Sequence, residues 1–186
     1  MKRRTIALLM TAIVLIMAGC GGGAPGYEKG AGPELIYIVD LCYVNSDYLA
    51  TGDEELSAVR YYQRHNMYAL KGKQYLTLLD VALRGNELGI EGVDTMITDK
   101  IQFNSVEVKE GTAFVDIAGK NLSGSSLEEG LLISQIVNSL TGSFYEVENV
   151  QFLIDGKSAE SLMGHYSIEG PFETGIYVPG SMEGGT

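Results

Sequence analysis

The chain has 186 residues, of which 45% are hydrophobic and 20% charged, the size and balance of one globular domain. Thirteen Lys and Arg stand against 24 Asp and Glu, a net charge of −11, which excludes the basic footprint of a nucleic-acid binder. The same balance excludes wholesale disorder and collagen-like or coiled-coil architecture, but it names no activity.

Lys2, Arg3 and Arg4 open the chain, and after Thr5 comes the apolar run Ile6 to Met17, broken only by Thr11. A positive start before a short apolar core is the layout of an export signal. The run has 12 residues, and a spanning helix needs about 20. The following Met17-Ala18-Gly19-Cys20 resembles a bacterial lipobox. That resemblance implies that residues 1–19 are removed as a signal peptide and that the Cys20 thiol carries a thioether-linked diacylglycerol. Two acyl chains, each methylene worth about 0.8 kcal/mol when buried, hold a protein at a membrane without a spanning helix. Cleavage leaves ten cations against 24 acids, a net −14, so lipid rather than charge must supply the anchor. The expected location is the outer face of the cytoplasmic membrane.

Cys42 is then the one remaining thiol, so no internal disulfide forms. Its neighbours Leu41, Tyr43 and Val44 point to a buried, unreactive side chain. Residues 20–33 combine the lipidated cysteine with GGGAPGYEKGAGP, in which eight of 13 residues are Gly or Pro. Such a segment reads as a flexible tether spanning about 20 Å. Residues 34–170 form the expected domain, and 171–186 the expected flexible tail.

Within the domain, the β-branched and aromatic run Glu34 to Val39 predicts a buried strand, which Leu41 to Val44 extend or follow after a bend. Asn45-Ser46-Asp47 and Thr51-Gly52-Asp53 are turn signals. Ala58 to Arg64, with its paired tyrosines, reads as a strand. Residues 72–85 place Tyr75, Leu78, Leu79, Ala82 and Leu83 on one helical face, with Gly85 as the cap. Residues 103–117 predict a hairpin turning at Glu110-Gly111. Residues 123–142 predict a helix capped by a Ser126/Glu129 box, with Leu132, Ile133, Ile136, Val137 and Leu140 as its buried stripe. Gly130 inside that helix suggests close packing. Asn138, beside the stripe, suggests an amide bonded to a buried loop backbone. Val150, Phe152 and Ile154 alternate as a last strand before the Asp155-Gly156 turn, and a short return near Ser161-Leu162 is expected. The order predicts an α+β domain: one small mixed or antiparallel sheet with two helices packed on one face.

Candidate chemistry is sparse. His65 and His165 are the two histidines, and no H-x-x-x-H or C-x-x-C spacing accompanies them. Asp47, Asp53, Glu54 and Glu55 lack the alternation of a calcium loop. Asp116 and Asp155 each end a strand and suit turn formation. The Ser123–Ser126 stretch has no nucleophile elbow, and the Gly run at 21–23 lacks the Lys-Ser/Thr of a phosphate loop. Six of the 11 tyrosines (Tyr37, Tyr43, Tyr48, Tyr61, Tyr62 and Tyr68) crowd the first half of the domain, as strand packing or as a polar-aromatic contact surface. These readings assign no catalytic residue, cofactor or metal.

The hairpin VEVKEGTAFVD (106–116), the helical IVNSLT (136–141), the strand and turn VQFLIDG (150–156), and Gly164-His165 followed by Pro171-Phe172 together resemble the GerMN domain of sporulation and spore-germination proteins. Where that family usually carries Gly-Pro after its first helix, this chain has Arg84-Gly85-Asn86-Glu87. The resemblance implies a fold similar to the ring-building domains of secretion and sporulation complexes. It also implies a non-catalytic lipoprotein that meets protein partners, or further copies of itself, through a sheet edge or helix face. The alternative is a ligand-binding or hydrolytic lipoprotein acting on cell-wall fragments or a small solute, which requires a deep pocket with converging polar groups.

Overall fold

The computed structural model describes residues 34–86 and 88–178. The expected signal peptide (1–19), the expected lipidation site Cys20, the expected tether (20–33) and everything after 178 lie outside the described residues. The first β-strand, β1, runs over Glu34–Asn45 and pairs antiparallel with β2, Val59–Leu70. The register slips between Tyr37 and Val39, and Asn66 takes a positive φ on the facing strand, the mark of a bulge. The short helix α1, Ser46–Thr51, links them, with Asn45 as its cap. The two-residue strand β3, Val93–Asp94, pairs with the end of β1 and completes a sheet of order β2-β1-β3.

A second sheet, of order β4-β5-β6, holds the predicted hairpin β4 (Phe103–Lys109) and β5 (Thr112–Ile117) and the later strand β6 (Asn149–Ile154). Glu110 and Gly111 both have positive φ, as a two-residue hairpin turn requires. β6 pairs parallel to β5, so the connection must cross over, and helix α3 (Ser126–Ser143) makes that crossing. The α+β class expected from the sequence holds. The single sheet does not: among the described residues six strands form two three-stranded sheets.

The helix α2 starts at Gln74–Thr77 and continues as a π-helical stretch, Leu78–Ala82, in which the Leu83 N–H donates to the Leu78 carbonyl. Leu78, Leu79 and Leu83 are buried, as their spacing predicts. Gly85 ends the segment with φ 61°. At the place where the family likeness lapses, the Arg84 guanidinium clamps the Asp80 carboxylate and the carbonyls of Thr98 and Ile101.

One apolar core joins both sheets. It contains Val39, Leu41 and Tyr43 of β1, the leucines after α2, Val115 and Ile117 of β5, Val150 and Phe152 of β6, and the α3 stripe. α3 is buried on every side from Glu129 to Leu140. Its polar residues therefore meet backbone rather than water. Ser139 Oγ accepts from Cys42 N at 2.9 Å, and Ser143 Oγ from Asp40 N at 3.0 Å. Four helical residues rise about 6 Å, and two strand residues about 6.8 Å. Serines one helical turn apart thus match alternate N–H groups and seal that edge of β1.

Three sequence expectations need correction. The capping box belongs to Ser125 and Glu128, one residue earlier than read. The Ser161-Leu162 stretch is a loop, and the segment that bridges to β6 is Phe172, through Val150. The described part of the expected tail, 171–178, packs on the domain through several residues: Val178 is buried, Gly175 pairs with Asn138, and Tyr177 N donates to Ser134 Oγ.

Candidate functional site

Several of the polar groups that the sequence offered for chemistry hold structure instead, while the His65 side chain lies outside the described residues. Glu129 is fully buried, and its carboxylate accepts three backbone N–H groups: Leu162 and Met163 at 3.0 Å and His165 at 2.8 Å. Hydrogen bonds of this kind replace the water that a buried carboxylate loses. The His165 ring nitrogen lies 3.1 Å from the Gly124 carbonyl. Both ends of residue 165 therefore fasten its loop to the start of α3. Asp47 pairs with Arg60 at 2.9 Å, and Asp53 accepts from Glu55 N in a turn. Asp116 accepts from Gly156 N and Asp155 from Gly119 N, so each braces a turn. Among the described residues no group of three His, Cys, Asp or Glu is placed to hold a metal ion.

Cys42 is buried, and burial pushes its thiol up to about 12 despite hydrogen bonding with the Asn138 and Tyr61 side chains. A thiol that stays protonated is a poor nucleophile. The Asn138 amide holds Gly175 from both sides, donating to its carbonyl and accepting from its N–H at 2.9 Å. Gly130 has no room for a side chain, since a Cβ there would land on the Tyr177 carbonyl oxygen.

An open groove of about 410 Å³ lies beside the start of α3, with Met96, Ile101, Leu132 and Met163 among its apolar lining and Lys100 and Glu128 at its polar side. His165 does not line it. The Ser125 backbone N–H and hydroxyl hold the Glu128 carboxyl below its usual range, which keeps it ionised as a cap.

The surface left free among the described residues includes the edges of two longer outer strands and one apolar face. β2 and β4 stand at the outer positions of their sheets, and no strand among the described residues pairs with their far sides. On the β1–β2 ribbon, Ile36 pairs with Tyr68 and Glu34 with Leu70, so these residues share one face with Ile38. Ile36 is 60% exposed, Ile38 59% and Tyr68 54%. The sequence reading placed Glu34 to Val39 in the core. The structure buries Val39 and leaves the residues before it largely in solvent.

The arrangement has known counterparts. The family of sporulation and spore-germination domains called Germane matches residues 40–160. The chain belongs to this Germane family. Its fold is similar to the first GerMN domain of the Bacillus subtilis sporulation protein GerM, at 14% identity over 75% of this chain and 96% of that one, with a TM-score of 0.56. It is similar also to the tandem GerMN domains of the same protein, at 14% identity over 75% of this chain and 46% of that one, with a TM-score of 0.60. The present chain thus spans about half of the tandem pair. A candidate lipoprotein from Clostridium perfringens aligns over 81% of this chain and 93% of its own at 14% identity, but its TM-score of 0.49 carries no argument. No curated protein matches in sequence.

Proposed function

We propose that this Germane-family chain is a lipid-anchored protein of the cell envelope, whose domain is a non-catalytic interaction module for envelope or spore assembly or for germination. The lipobox at Cys20 supports the anchor, and the family supports the sporulation setting. The observation that carries the interaction reading is the pair of open edges on β2 and β4. Such edges offer backbone donors and acceptors to another strand, from a partner or a second copy. The non-catalytic reading is supported by Glu129, Asn138, Ser134 and Ser139, whose polar side chains are engaged with backbone groups inside the fold.

Mass spectrometry of the mature N-terminus tests the anchor: a diacylglyceryl Cys20 is expected, and an intact Met1 overturns it. Photocrosslinkers at Gln63 on β2 and Glu107 on β4, activated in native membranes, test the module. A discrete adduct from at least one edge is expected. No adduct from either, or turnover of a wall fragment by the purified protein, overturns the reading.

A further inference from the structure

We propose that the free end of the β1–β2 ribbon docks on the anionic lipid surface to which the chain is anchored, with Ile36, Ile38, Tyr68 and Leu70 entering the headgroup region. The inference rests on the Cys20 anchor.

Its first support is position. Ser143 of α3 binds Asp40 and Ser139 binds Cys42, so β1 residues before Asp40 extend beyond the C-terminal end of α3. Tyr145, just past that end, is 98% exposed, and the ring of its neighbour Phe144 packs on Tyr37 of the ribbon. Exposed apolar and aromatic residues therefore collect at one end of the molecule. Thirteen residues separate Cys20 from Glu34. Fully extended they reach at most about 45 Å, and a Gly-rich chain of that length averages about 20 Å. The start of β1 is the point where the anchored segment joins the domain, so it is confined within that reach of the lipid.

The second support is composition. Large exposed apolar patches mark an interaction surface. This one mixes aliphatic side chains with tyrosine, whose ring is apolar and whose hydroxyl is polar, a pairing suited to the membrane–water boundary.

The third support is charge. Residues 56–79 contain Arg60, Arg64, Lys71 and Lys73 and no Asp or Glu, in a chain whose mature net charge is −14. Arg60 is taken up by Asp47, whereas Lys71 and Lys73 are exposed in the turn directly after Leu70. Cations close to an anionic leaflet are drawn to it. The acids at this end are Glu34 at the strand end, Asp40, which accepts a hydrogen bond from Gln63, and Glu146, which accepts one from the Tyr75 hydroxyl. The overall negative charge then turns the acidic remainder away from the membrane and leaves this end toward it.

The test uses the full chain purified from membranes and reconstituted into vesicles of phosphatidylcholine with or without phosphatidylglycerol. A bimane label is placed at Ile38→Cys, with Lys157→Cys as the distant control. Cys42 stays unlabelled because its thiol is buried, and a lipidated Cys20 has no free thiol. Nitroxide-bearing lipids should quench the Ile38 label about threefold more than the Lys157 label, and more strongly with phosphatidylglycerol present. Lys71→Glu with Lys73→Glu should remove the phosphatidylglycerol dependence without loss of folded signal. Equal quenching at both positions overturns the docking while the anchor stands. A label shielded from water yet untouched by lipid nitroxides also overturns it, in favour of a protein partner or a second copy. An unmodified Cys20 removes the anchor and the docking together.

Discussion

At the scale of single residues, two buried polar side chains hold more structure than any apolar one near them. Glu129 satisfies three N–H groups of the 162–165 loop. Removing it orphans all three, and each buried orphan costs about 1–3 kcal/mol. Glu129→Ala is expected to lower unfolding free energy by at least about 3 kcal/mol in urea titration. Glu129→Gln should fall between, because its amide presents a donor to one of the N–H groups. Equal stability of the two variants would mean that the carboxylate charge matters and the hydrogen bonds do not. Asn138→Leu deletes both bonds to Gly175 and should cost about 2–3 kcal/mol. Limited proteolysis should then cut preferentially around 173–178. Asn138 was legible from sequence because an amide beside an apolar stripe has few other uses. Glu129 was not: Ser126-x-x-Glu129 and Ser125-x-x-Glu128 both satisfy the capping pattern. Helical geometry could have decided between them, since Glu129 precedes Leu132 and Ile133 by three and four residues and shares their inward face.

At the scale of elements, α3 shows what periodicity can and cannot reveal. Its apolar stripe was legible because residues three and four apart share a face. Ser134, Gln135 and Ser139 look in sequence like a solvated side, and only the fold brings backbone against them. The same limit applies to β1, where an apolar run reads alike in a core and on an exposed face. The α3 cap is separable from these contacts. Ser125 Oγ accepts from Glu128 N, and Glu128 accepts from Ser125 N at 2.7 Å. Ser125→Ala should therefore cost about 1 kcal/mol. The Glu128 carboxyl is held below the ordinary glutamate value of 4.5. Its contribution is thus present above that value and fades as pH falls below it through the lowered folded value. In Ser125→Ala the acid-side loss of stability below pH 4.5 should be shallower than in the parent. An identical pH slope would mean that Glu128 gains nothing from the cap.

At the scale of the molecule, the two sheets share no strand pairing, and α3 is what joins them. Its apolar side lies in the core that both sheets contribute to, while Ser139 and Ser143 occupy the exposed backbone of β1. The sequence showed the five longer strands but neither the two-residue β3 nor this division, because an edge sealed by serines leaves no hydrophobic trace. If α3 is the joint, neither sheet has a complete core without it, and the domain should unfold as one unit. Ser139→Ala with Ser143→Ala leaves the N–H groups of Cys42 and Asp40 without partners, for a combined loss of about 2–4 kcal/mol. The loss should spread to the second sheet, although the hydrogen bonds of both serines go to β1. Native-state hydrogen exchange reads this directly: protection of β5 and β6 amides should fall by the same free energy as that of β1 and β2. Loss confined to β1 and β2, with β5 and β6 unchanged, would show that the sheets are separate cooperative units and that α3 belongs to the second alone.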